Sequence, residues 1–324
     1  MKYTAVIRTL GTAGEKYQKL LDSLIKQTVP PCEIIVYIAE SYPLPRETVG
    51  VERYIYVKKG MVAQRALSYD EVTTEYILFL DDDLTFPSDT VEKMYHLLKD
   101  NNADVIAPDI FPNSMRPWKS ELMMTLSGRM RARRKDKVWG YKVMRTSGYS
   151  YNKTPKKDVY ISQTNAGACF LCRKDAFLKI HFEEELWMDK MTYALGDDQV
   201  MYYKMYLNKL KVLTWYEHQF THLDAGHNMT SEKEQMRLYS DLYFKNVFWH
   251  RFIFSLERRL LFRLWSILCI FYSMLFTVLI SLLRFNIPIL TVKCRAILDA
   301  WKFINSEDYR MFPPIVTTGN NNRI

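Results

Sequence analysis

The sequence has few cysteines, and their number argues against a disulfide framework. There are 5 in a chain of 324 residues, whereas disulfide-rich domains are short and contain an even number of cysteines. Cys169 and Cys172 have the spacing of half a zinc site, but the sequence offers no second pair. We therefore interpret residues 169–172 as part of a buried strand.

A signal peptide is also lacking, because a strand-like run, Tyr3–Thr9, begins almost at the first residue. We therefore expect the first domain to lie in the cytosol. The formal net charge is +9, yet no nucleic-acid-binding motif accompanies it. The basic residues concentrate in 116–157 and 251–302. Such patches favour diphosphates or anionic membranes as partners, and we expect no nucleic acid.

Strand-like and helix-like patterns alternate through the first two-thirds of the chain. Residues 4–9, 33–38 and 76–80 are apolar runs without polar alternation, as in strands buried on both faces of a sheet. Segments between them repeat apolar residues at helical spacing, and we also predict a helix over residues 61–69. The alternation predicts a doubly wound α/β sheet. Residues 108–157 interrupt it and are predicted to be a loop on the substrate side, or else a solvated basic insertion.

Three consecutive carboxylates, Asp81, Asp82 and Asp83, follow the apolar run 76–80. Buried carboxylates are costly unless they are paired or bind a cation. At the end of a buried strand they would meet a ligand crevice, where carboxylate oxygens suit Mg²⁺ or Mn²⁺. The alternative is a solvated acidic turn.

A second acidic pair, Asp197 and Asp198, follows Gly196 at the start of a predicted helix. Carboxylates at this position are stabilised by the helix dipole, so capping is the structural explanation and catalysis is the functional one. Small residues in 163–168 would let the backbone approach a ligand closely.

The last third of the sequence changes character. Residues 264–283 carry no charge, and a helix of this length is about 30 Å long, the thickness of a bilayer's hydrocarbon core. Four basic residues lie on either side, so charge does not set an orientation. A span, a re-entrant hairpin, an in-plane helix pair and a buried helix of a soluble core all remain open. We divide the chain into a catalytic domain, residues 1–228, and a helical membrane-associated region, residues 229–324.

Residues 3–228 resemble glycosyltransferase family 2, whose members have a GT-A fold. The resemblance rests on the order and spacing of several segments together. These are Gln27-Thr28-Val29-Pro30-Pro31, Gly60 to Arg65, Leu80-Asp81-Asp82-Asp83, Gly196-Asp197-Asp198 and Thr221-His222-Leu223-Asp224. The expected fold is therefore an α/β doubly wound mixed sheet of the GT-A type, followed by a C-terminal helical region.

The resemblance also implies roles for individual residues. Asp81 and Asp83 match the family's D-x-D carboxylates, and His222 matches a histidine that completes the metal site. Asp198 matches the catalytic base, with Asp197 beside it. Contacts to the donor are implied for Thr9, Glu40, Arg65, Asp81 and Asp82. The implied cofactors are Mn²⁺ or Mg²⁺ and a nucleotide-diphosphate sugar, with UDP as the expected nucleotide.

The sequence departs from the family pattern at several places. Residues 38–41 read Ile-Ala-Glu-Ser, where many relatives have Asp-Asp-Gly-Ser, and Ala66 replaces the usual asparagine. The Gln-x-x-Arg-Trp motif of processive synthases is absent, since Gln235-Met236-Arg237 is only a fragment of it. The resemblance therefore indicates a non-processive enzyme of the bacterial surface-polysaccharide type.

The expected function is inverting, metal-dependent transfer of a sugar from a nucleotide-diphosphate sugar to a hydroxyl of a lipid-linked saccharide. The expected location is the cytoplasmic face of the inner membrane of a bacterium. Two alternatives remain at this point. A nucleotidyltransferase would place a Gly-rich loop after the first strand, which residues 8–16 match poorly. A non-catalytic membrane-bound saccharide- or polyanion-binding protein would not need Asp81, Asp83 and Asp198.

Overall fold

The computed structural model describes residues 1–110, 118–131, 139–152, 159–223, 231–315 and 317. Eight of its strands form one sheet in the order β3-β2-β1-β4-β10-β6-β11-β9. The strands are β1 (Tyr3–Thr9), β2 (Glu33–Ala39), β3 (Glu52–Val57), β4 (Tyr76–Asp81), β5 (Leu84–Thr85), β6 (Val105–Pro108), β7 (Tyr141–Val143), β8 (Ser150–Asn152), β9 (Val159–Ser162), β10 (Cys169–Arg173), β11 (Val212–Trp215) and β12 (Thr221–His222).

The large sheet is mixed. β1 runs parallel to β2 and β4, while β10 runs antiparallel to both β4 and β6. The carboxyl ends of β1 and β4 therefore meet at one edge, where Arg8 lies opposite Asp81. The mixed α/β sheet expected from the sequence is confirmed.

The helices are α1 (Glu15–Ile25), α2 (Thr90–Asp100), α3 (Trp118–Leu126), α4 (Lys174–Leu178), α5 (Asp197–Leu207), α6 (Ser231–Phe248), α7 (Leu260–Leu283), α8 (Ile287–Ile304) and α9 (Glu307–Arg310). A 3₁₀ segment, Phe182–Lys190, precedes α5, and a π-helical segment, Trp249–Phe254, continues α6.

Helices cover both faces of the sheet. Successive side chains of a strand point to opposite sides, and in β4 the side chains on both sides are apolar and buried. Leu78 and Leu80 of β4 pack in the same core as α1 and α2. Ile77 and Phe79 pack in the other core, with α5 and the C-terminal helices. Asp81 continues the alternation of Ile77 and Phe79 and therefore projects on the α5 side of the sheet.

The helix predicted over residues 61–69 is wrong. This segment forms turns instead, and the Asp189 carboxylate accepts hydrogen bonds from the Val62 and Ala63 amides, at 2.8 and 3.0 Å. A distant side chain thus holds the backbone in a shape that local periodicity does not specify. The turn directs Arg65 inward, where the residue is 3% exposed.

In the described residues, α7 is the one helix long and apolar enough to cross a membrane, judged by length and composition. One face is buried and carries Ser266, Ser273, Thr277 and Ser281, so small polar residues form its packing face. The opposite face exposes large apolar side chains, including Leu261, Leu264, Trp265, Leu268, Phe271, Leu275 and Leu283. The division of the chain at residue 228 stays a prediction.

Candidate active site

Arg8 and Asp81 form an ion pair at the carboxyl ends of β1 and β4. Arg8 Nε lies 2.5 Å from Asp81 Oδ1, and Arg8 Nη2 lies 3.2 Å from Oδ2. A third contact joins Arg8 Nη1 to Asp197 Oδ2 at 3.4 Å. Burial alone would raise the pKa of Asp81, but Arg8 and then Arg65 lower it below its ordinary value. Asp81 is therefore an anion neutralised by protein groups.

Arg65 lies behind the second acidic pair. Its Nη1 donates to Asp198 Oδ1 at 2.8 Å and to Asp197 Oδ2 at 3.2 Å, and its Nη2 donates to the Gly167 carbonyl at 2.9 Å. This guanidinium neutralises carboxylates, and it does not line the cavity that they face. A direct contact of Arg65 with the donor stays a prediction.

Two glycines allow this close packing. A Cβ on Gly167 would lie 1.9 Å from Asp198 Oδ1, so a larger residue would displace the carboxylate. Gly196 has a φ of 89°, and a Cβ there would lie 2.6 Å from the Phe244 ring. Gly167, in the segment 163–168, thus makes room for a side chain of the site itself, and the approach of this backbone to a ligand stays a prediction.

Asp197 and Asp198 begin α5 but differ in exposure. The Asp197 side chain is 11% exposed and the Asp198 side chain 32%. Burial, followed by repulsion from Asp198, raises the pKa of Asp197 to about 6, against the opposing effects of Arg65 and Arg8. Asp198 is thus the more accessible carboxylate, while Asp197 is enclosed by the two arginines.

Asp83 and His222 come together across the small sheet formed by β5 and β12. The strand pairing sets His222 opposite Leu84, and His222 Nε2 lies 3.1 Å from Asp83 Oδ2. The other oxygen, Asp83 Oδ1, is buried and has no hydrogen-bond partner in the part of the chain described. A buried carboxylate oxygen beside an imidazole fits a divalent cation.

The three-residue metal set predicted from the sequence is not assembled. In the described segments, no three His, Cys, Asp or Glu side chains are close enough to hold one ion. The reason is that Asp81 turns toward Arg8 and Arg65. Asp83 and His222 would hold a metal together with groups from a substrate, because phosphate oxygens can supply the remaining ligands.

Asp82 and Thr9 form the third element of the strand ends. The Thr9 hydroxyl donates to Asp82 and accepts from the Gly11 amide at 2.8 Å. Burial raises the pKa of Asp82 to about 6, opposed by the Thr9 hydrogen bond and supported by Asp81 and Asp83. Both residues line the cavity, and their contacts with the donor stay predictions.

One cavity of about 600 Å³ joins these groups. Glu40 does not line it, because it is exposed in the turn after β2. Sequence reasoning missed five polar lining residues, which are Arg8, Thr12, Lys16, Lys59 and Gln64. Arg8 had a signal, since a lone arginine ending an apolar buried strand needs an acidic partner. Of the basic residues in the segment 108–157, which is predicted to face the substrate, Arg129 and Arg131 are described, whereas Arg133, Arg134 and Lys135 lie outside the described residues.

More than half of the chain matches one protein-family model. The model described as "Glycosyl transferase family 2" matches residues 13–180, more than half of the 324 residues. This chain belongs to glycosyl transferase family 2. The matched range contains Asp81, Asp82 and Asp83 and ends before α5, so the family match leaves the roles of Asp197, Asp198 and His222 as predictions.

A solved structure and the curated proteins complete the comparison. The structure described as "Crystal structure of GalNAc-T7 with UDP, GalNAc and Mn2+" has a TM-score of 0.47 and 13% sequence identity. The alignment covers 85% of this family 2 chain and 55% of that chain. No curated protein matches. The mixed α/β sheet of the expected fold class is confirmed by the strand order and pairing.

Proposed function

We propose that this family 2 protein transfers a sugar from a nucleotide-diphosphate sugar to a hydroxyl of a saccharide, with inversion at the anomeric carbon. One observation carries the proposal. A single cavity is lined both by an accessible carboxylate, Asp198, and by the Asp83–His222 pair. A displacement reaction needs these two functions, a base for the attacking hydroxyl and a site for the departing diphosphate.

Asp198 is the proposed general base. The acceptor oxygen forms a bond to the anomeric carbon as the bond from that carbon to the diphosphate oxygen breaks. The hydroxyl proton passes to an Asp198 oxygen, while the diphosphate leaves with the electron pair of the broken bond. Arg65 donates to Asp198 Oδ1 and so fixes the orientation of the carboxylate, leaving Oδ2 for the acceptor. A single attack opposite the leaving group inverts the configuration.

Asp83 and His222 would hold the divalent cation. When bound there, Mn²⁺ or Mg²⁺ would neutralise negative charge on the leaving diphosphate. The fit rests on the buried Asp83 Oδ1, which has no other partner in the described chain. Thr9 and Asp82 lie beside this pair on the donor side, and UDP remains the proposed nucleotide.

We further propose a lipid-linked acceptor and a position at the cytoplasmic face of the cell membrane. The support is the exposed apolar face of α7, where Leu261 is 82% and Leu268 63% exposed. Exposed apolar patches of this kind mark interaction sites with membranes or proteins. Basic residues at both ends of the helix suit an anionic leaflet.

A panel of nucleotide sugars tests the reaction. With Mn²⁺, the full-length protein should release nucleoside diphosphate from one donor, and chelation should stop the release. Asp83→Ala should lower Mn²⁺-dependent binding of that nucleoside diphosphate at least about tenfold, because a charged ligand is lost. Calorimetry in Mn²⁺ measures this.

The control variant is Asp100→Ala, because Asp100 is exposed. Asp104 is unsuitable, because its carboxylate accepts a hydrogen bond from the Lys211 amide at 2.8 Å. Asp100→Ala should bind like the wild type. Equal affinities for Asp83→Ala and wild type would show that the metal assignment is wrong. If the protein turns over none of the donors, with or without metal, it is a binding protein that has the family's fold.

A further inference from the structure

A second cavity, of about 260 Å³, lies between α3, α7 and α8, away from the residues of the strand-end cavity. Arg129 and Lys293 supply its charge. The other residues around it are small, apolar or hydroxylic, namely Ser120, Met123, Met124, Ser127, Phe276, Thr277 and Ile280. No carboxylate is among the described residues that line it.

Among the described residues, no acidic side chain pairs with either cation of this cavity. Arg129 Nη2 donates to Thr277 Oγ1 at 2.9 Å, and Lys293 Nζ donates to Ser281 Oγ at 2.7 Å. Arg129 Nε is buried and has no hydrogen-bond partner in the described ranges. Across the same ranges, neither cation has an ion pair within 4.0 Å. A buried N–H donor without an acceptor is costly, so this geometry favours an anion between them.

The surrounding charges point the same way. Burial lowers the pKa of Lys293, and the neighbouring cations Arg129 and Arg284 lower it further. Burial also lowers the pKa of Lys245 on α6, where Asp241 opposes the shift and Arg129 adds to it. Arg129 therefore repels both lysines, and Asp241 is an acidic group that acts on Lys245. A bound anion would relieve the repulsion among these cations.

The cavity opens beside an apolar surface. On α3, the exposed side chains include Trp118, Leu122 and Leu126, which are spaced four residues apart on one helix face. On α7, the exposed face includes Leu268, Leu275 and Leu279. The residues of the cavity belong to these same two helices, to the turn that follows α3 and to α8. A ligand with a charged group and a long apolar chain matches both surfaces.

The packing of α7 also shows how that surface can meet a bilayer. Ser266 donates to the Thr146 carbonyl at 3.2 Å, and Thr277 accepts from Arg129, so the body of the protein contacts the helix at both positions. These residues are about 16 Å apart along the helix axis. If α7 crossed the membrane, the segments around Thr146 and Arg129 that contact it would also enter the hydrocarbon core. Their irregular backbone would be unfavourable there, because lipid offers no hydrogen-bond partners. The helix therefore presents one face to one leaflet.

The cavity is linked to the proposed active site by direct contacts. The guanidinium of Arg129 lies 4.7 Å from the centre of the Tyr149 ring, and Lys245 Nζ lies 5.3 Å from the same centre. Lys245 donates to the Gln199 side chain, which is adjacent in sequence to Asp198. Two side chains therefore separate the basic cavity from the residue beside the proposed base.

We propose that the Arg129–Lys293 cavity binds the phosphate or diphosphate group of the lipid that carries the acceptor saccharide. This proposal rests on the proposed function for the identity of the lipid. The apolar chain of the lipid lies along the exposed faces of α3 and α7, in the leaflet. The saccharide extends past Tyr149 and Lys245 toward Asp198. Arginine and lysine are the side chains that proteins use to bind phosphate groups.

The test uses the full-length protein in detergent micelles and a polyprenyl diphosphate as the probe. The double variant Arg129→Gln, Lys293→Gln should bind this lipid at least about tenfold more weakly than the wild type. The control is the double variant Arg295→Gln, Lys302→Gln. It removes the same charge from exposed positions on α8, where both residues pair with Asp299, and it should bind like the wild type.

Other arms identify the source of the phosphate. Inorganic pyrophosphate and phosphatidylglycerol micelles should each bind the wild type more weakly than the polyprenyl diphosphate. Equal binding of pyrophosphate would overturn the lipid assignment, and equal binding of phosphatidylglycerol would overturn the acceptor-lipid assignment. Equal losses in the test and control variants would overturn the cavity itself, since bulk charge would then explain binding.

Two further measurements separate this proposal from the reaction. Mn²⁺-dependent binding of nucleoside diphosphate by the Arg129→Gln, Lys293→Gln variant should equal that of the wild type, which also shows that the variant is folded. If the double variant also loses nucleoside diphosphate binding, the same measurement is made on Arg129→Lys, which keeps the charge. If Arg129→Lys does not restore nucleoside diphosphate binding, a specific role of Arg129 in lipid binding is overturned. If the wild type binds the lipid through these residues but transfers no sugar, the proposed function fails and the cavity stands.

Discussion

The strand-end cavity and the Arg129–Lys293 cavity both contain buried charge, but they compensate it differently. In the first, Arg8 and Arg65 neutralise Asp81 and Asp197 through contacts of 2.5 to 3.6 Å. In the second, hydroxyl groups of α7 are the closest partners of the two cations. One cavity is thus internally paired, while the other retains positive charge.

The difference indicates what each cavity can bind. In the described residues, Asp82 and Asp83 have no arginine partner, and they suit a cation. Asp198 contacts Arg65 through Oδ1, and its other oxygen, Oδ2, suits a proton in transfer. Excess positive charge instead suits an anion. If a nucleotide sugar and a lipid phosphate bind in this way, substitutions in one cavity should leave binding in the other unchanged.

The largest expected effect is the loss of transfer on removing the proposed base. Asp198→Asn keeps the shape of the side chain but not its basicity. We expect transfer to fall by about two to four orders of magnitude, with binding of donor and of polyprenyl diphosphate retained. Steady-state kinetics with donor and acceptor, together with calorimetry, would measure this.

Asp197→Asn provides the matched comparison. Asp197 is enclosed by Arg8 and Arg65, so its replacement should slow transfer less than replacement of Asp198. A larger effect at Asp197 than at Asp198 would show that the two roles are reversed. Retention of full activity by both variants would remove the acidic pair from the mechanism.

A smaller but still large effect is expected on attachment to membranes. Leu268 and Leu275 are 63% and 57% exposed on the α7 face away from the body. The double change Leu268→Asp, Leu275→Asp should lower partition into anionic vesicles about 100-fold or more, because apolar contacts are lost and charges would enter the leaflet. Co-sedimentation in high salt would measure it.

The control for the membrane experiment is Leu44→Asp, Val51→Asp. Leu44 and Val51 are similarly exposed, at 50% and 64%, but lie in the connection between β2 and β3. This variant should sediment with vesicles like the wild type. If wild-type protein remains soluble and unbound without detergent, the α7 face covers another protein surface instead of a leaflet.

The sequence predicted what depends on neighbouring residues. The apolar runs of β1, β2 and β4 and the helical repeats of α1 and α2 identify these elements, because burial on two faces or one face leaves a local pattern. The Asp82–Thr9 and Asp83–His222 contacts could be placed at one strand edge through the family resemblance. The turn at residues 61–69 could not, because Asp189 determines its shape from far along the chain.

Pairing of charges was the main part of the site that the sequence did not reveal. Nothing local shows that Asp81 is held by Arg8, or that Arg65 faces Asp197 and Asp198 instead of a cavity. The same is true of α7. Its length and composition permit a span, and contacts with residues as distant as Arg129 and Thr146 are what distinguish a helix packed on the body.

The smallest expected effect concerns the pH dependence of stability at Asp82. Burial raises the pKa of Asp82 to about 6 from an ordinary value of 3.8. The folded protein therefore binds this proton more tightly than the unfolded chain does, and stability decreases as the pH rises from about 4 through 6. At neutral pH the ionised carboxylate should cost about 3 kcal/mol.

Replacing Asp82 with asparagine tests this cost, because Asp82→Asn removes the charge and keeps an oxygen that can accept from Thr9. The melting temperature of the variant should exceed that of the wild type increasingly between pH 4 and 7, as measured by calorimetry without added metal. Asp100→Asn, a change at an exposed carboxylate, should give a difference that does not vary with pH in this way. A constant difference for Asp82→Asn would show that its carboxylate is already ionised at pH 4, and that Thr9 and the Gly11 turn stabilise the anion as well as water does.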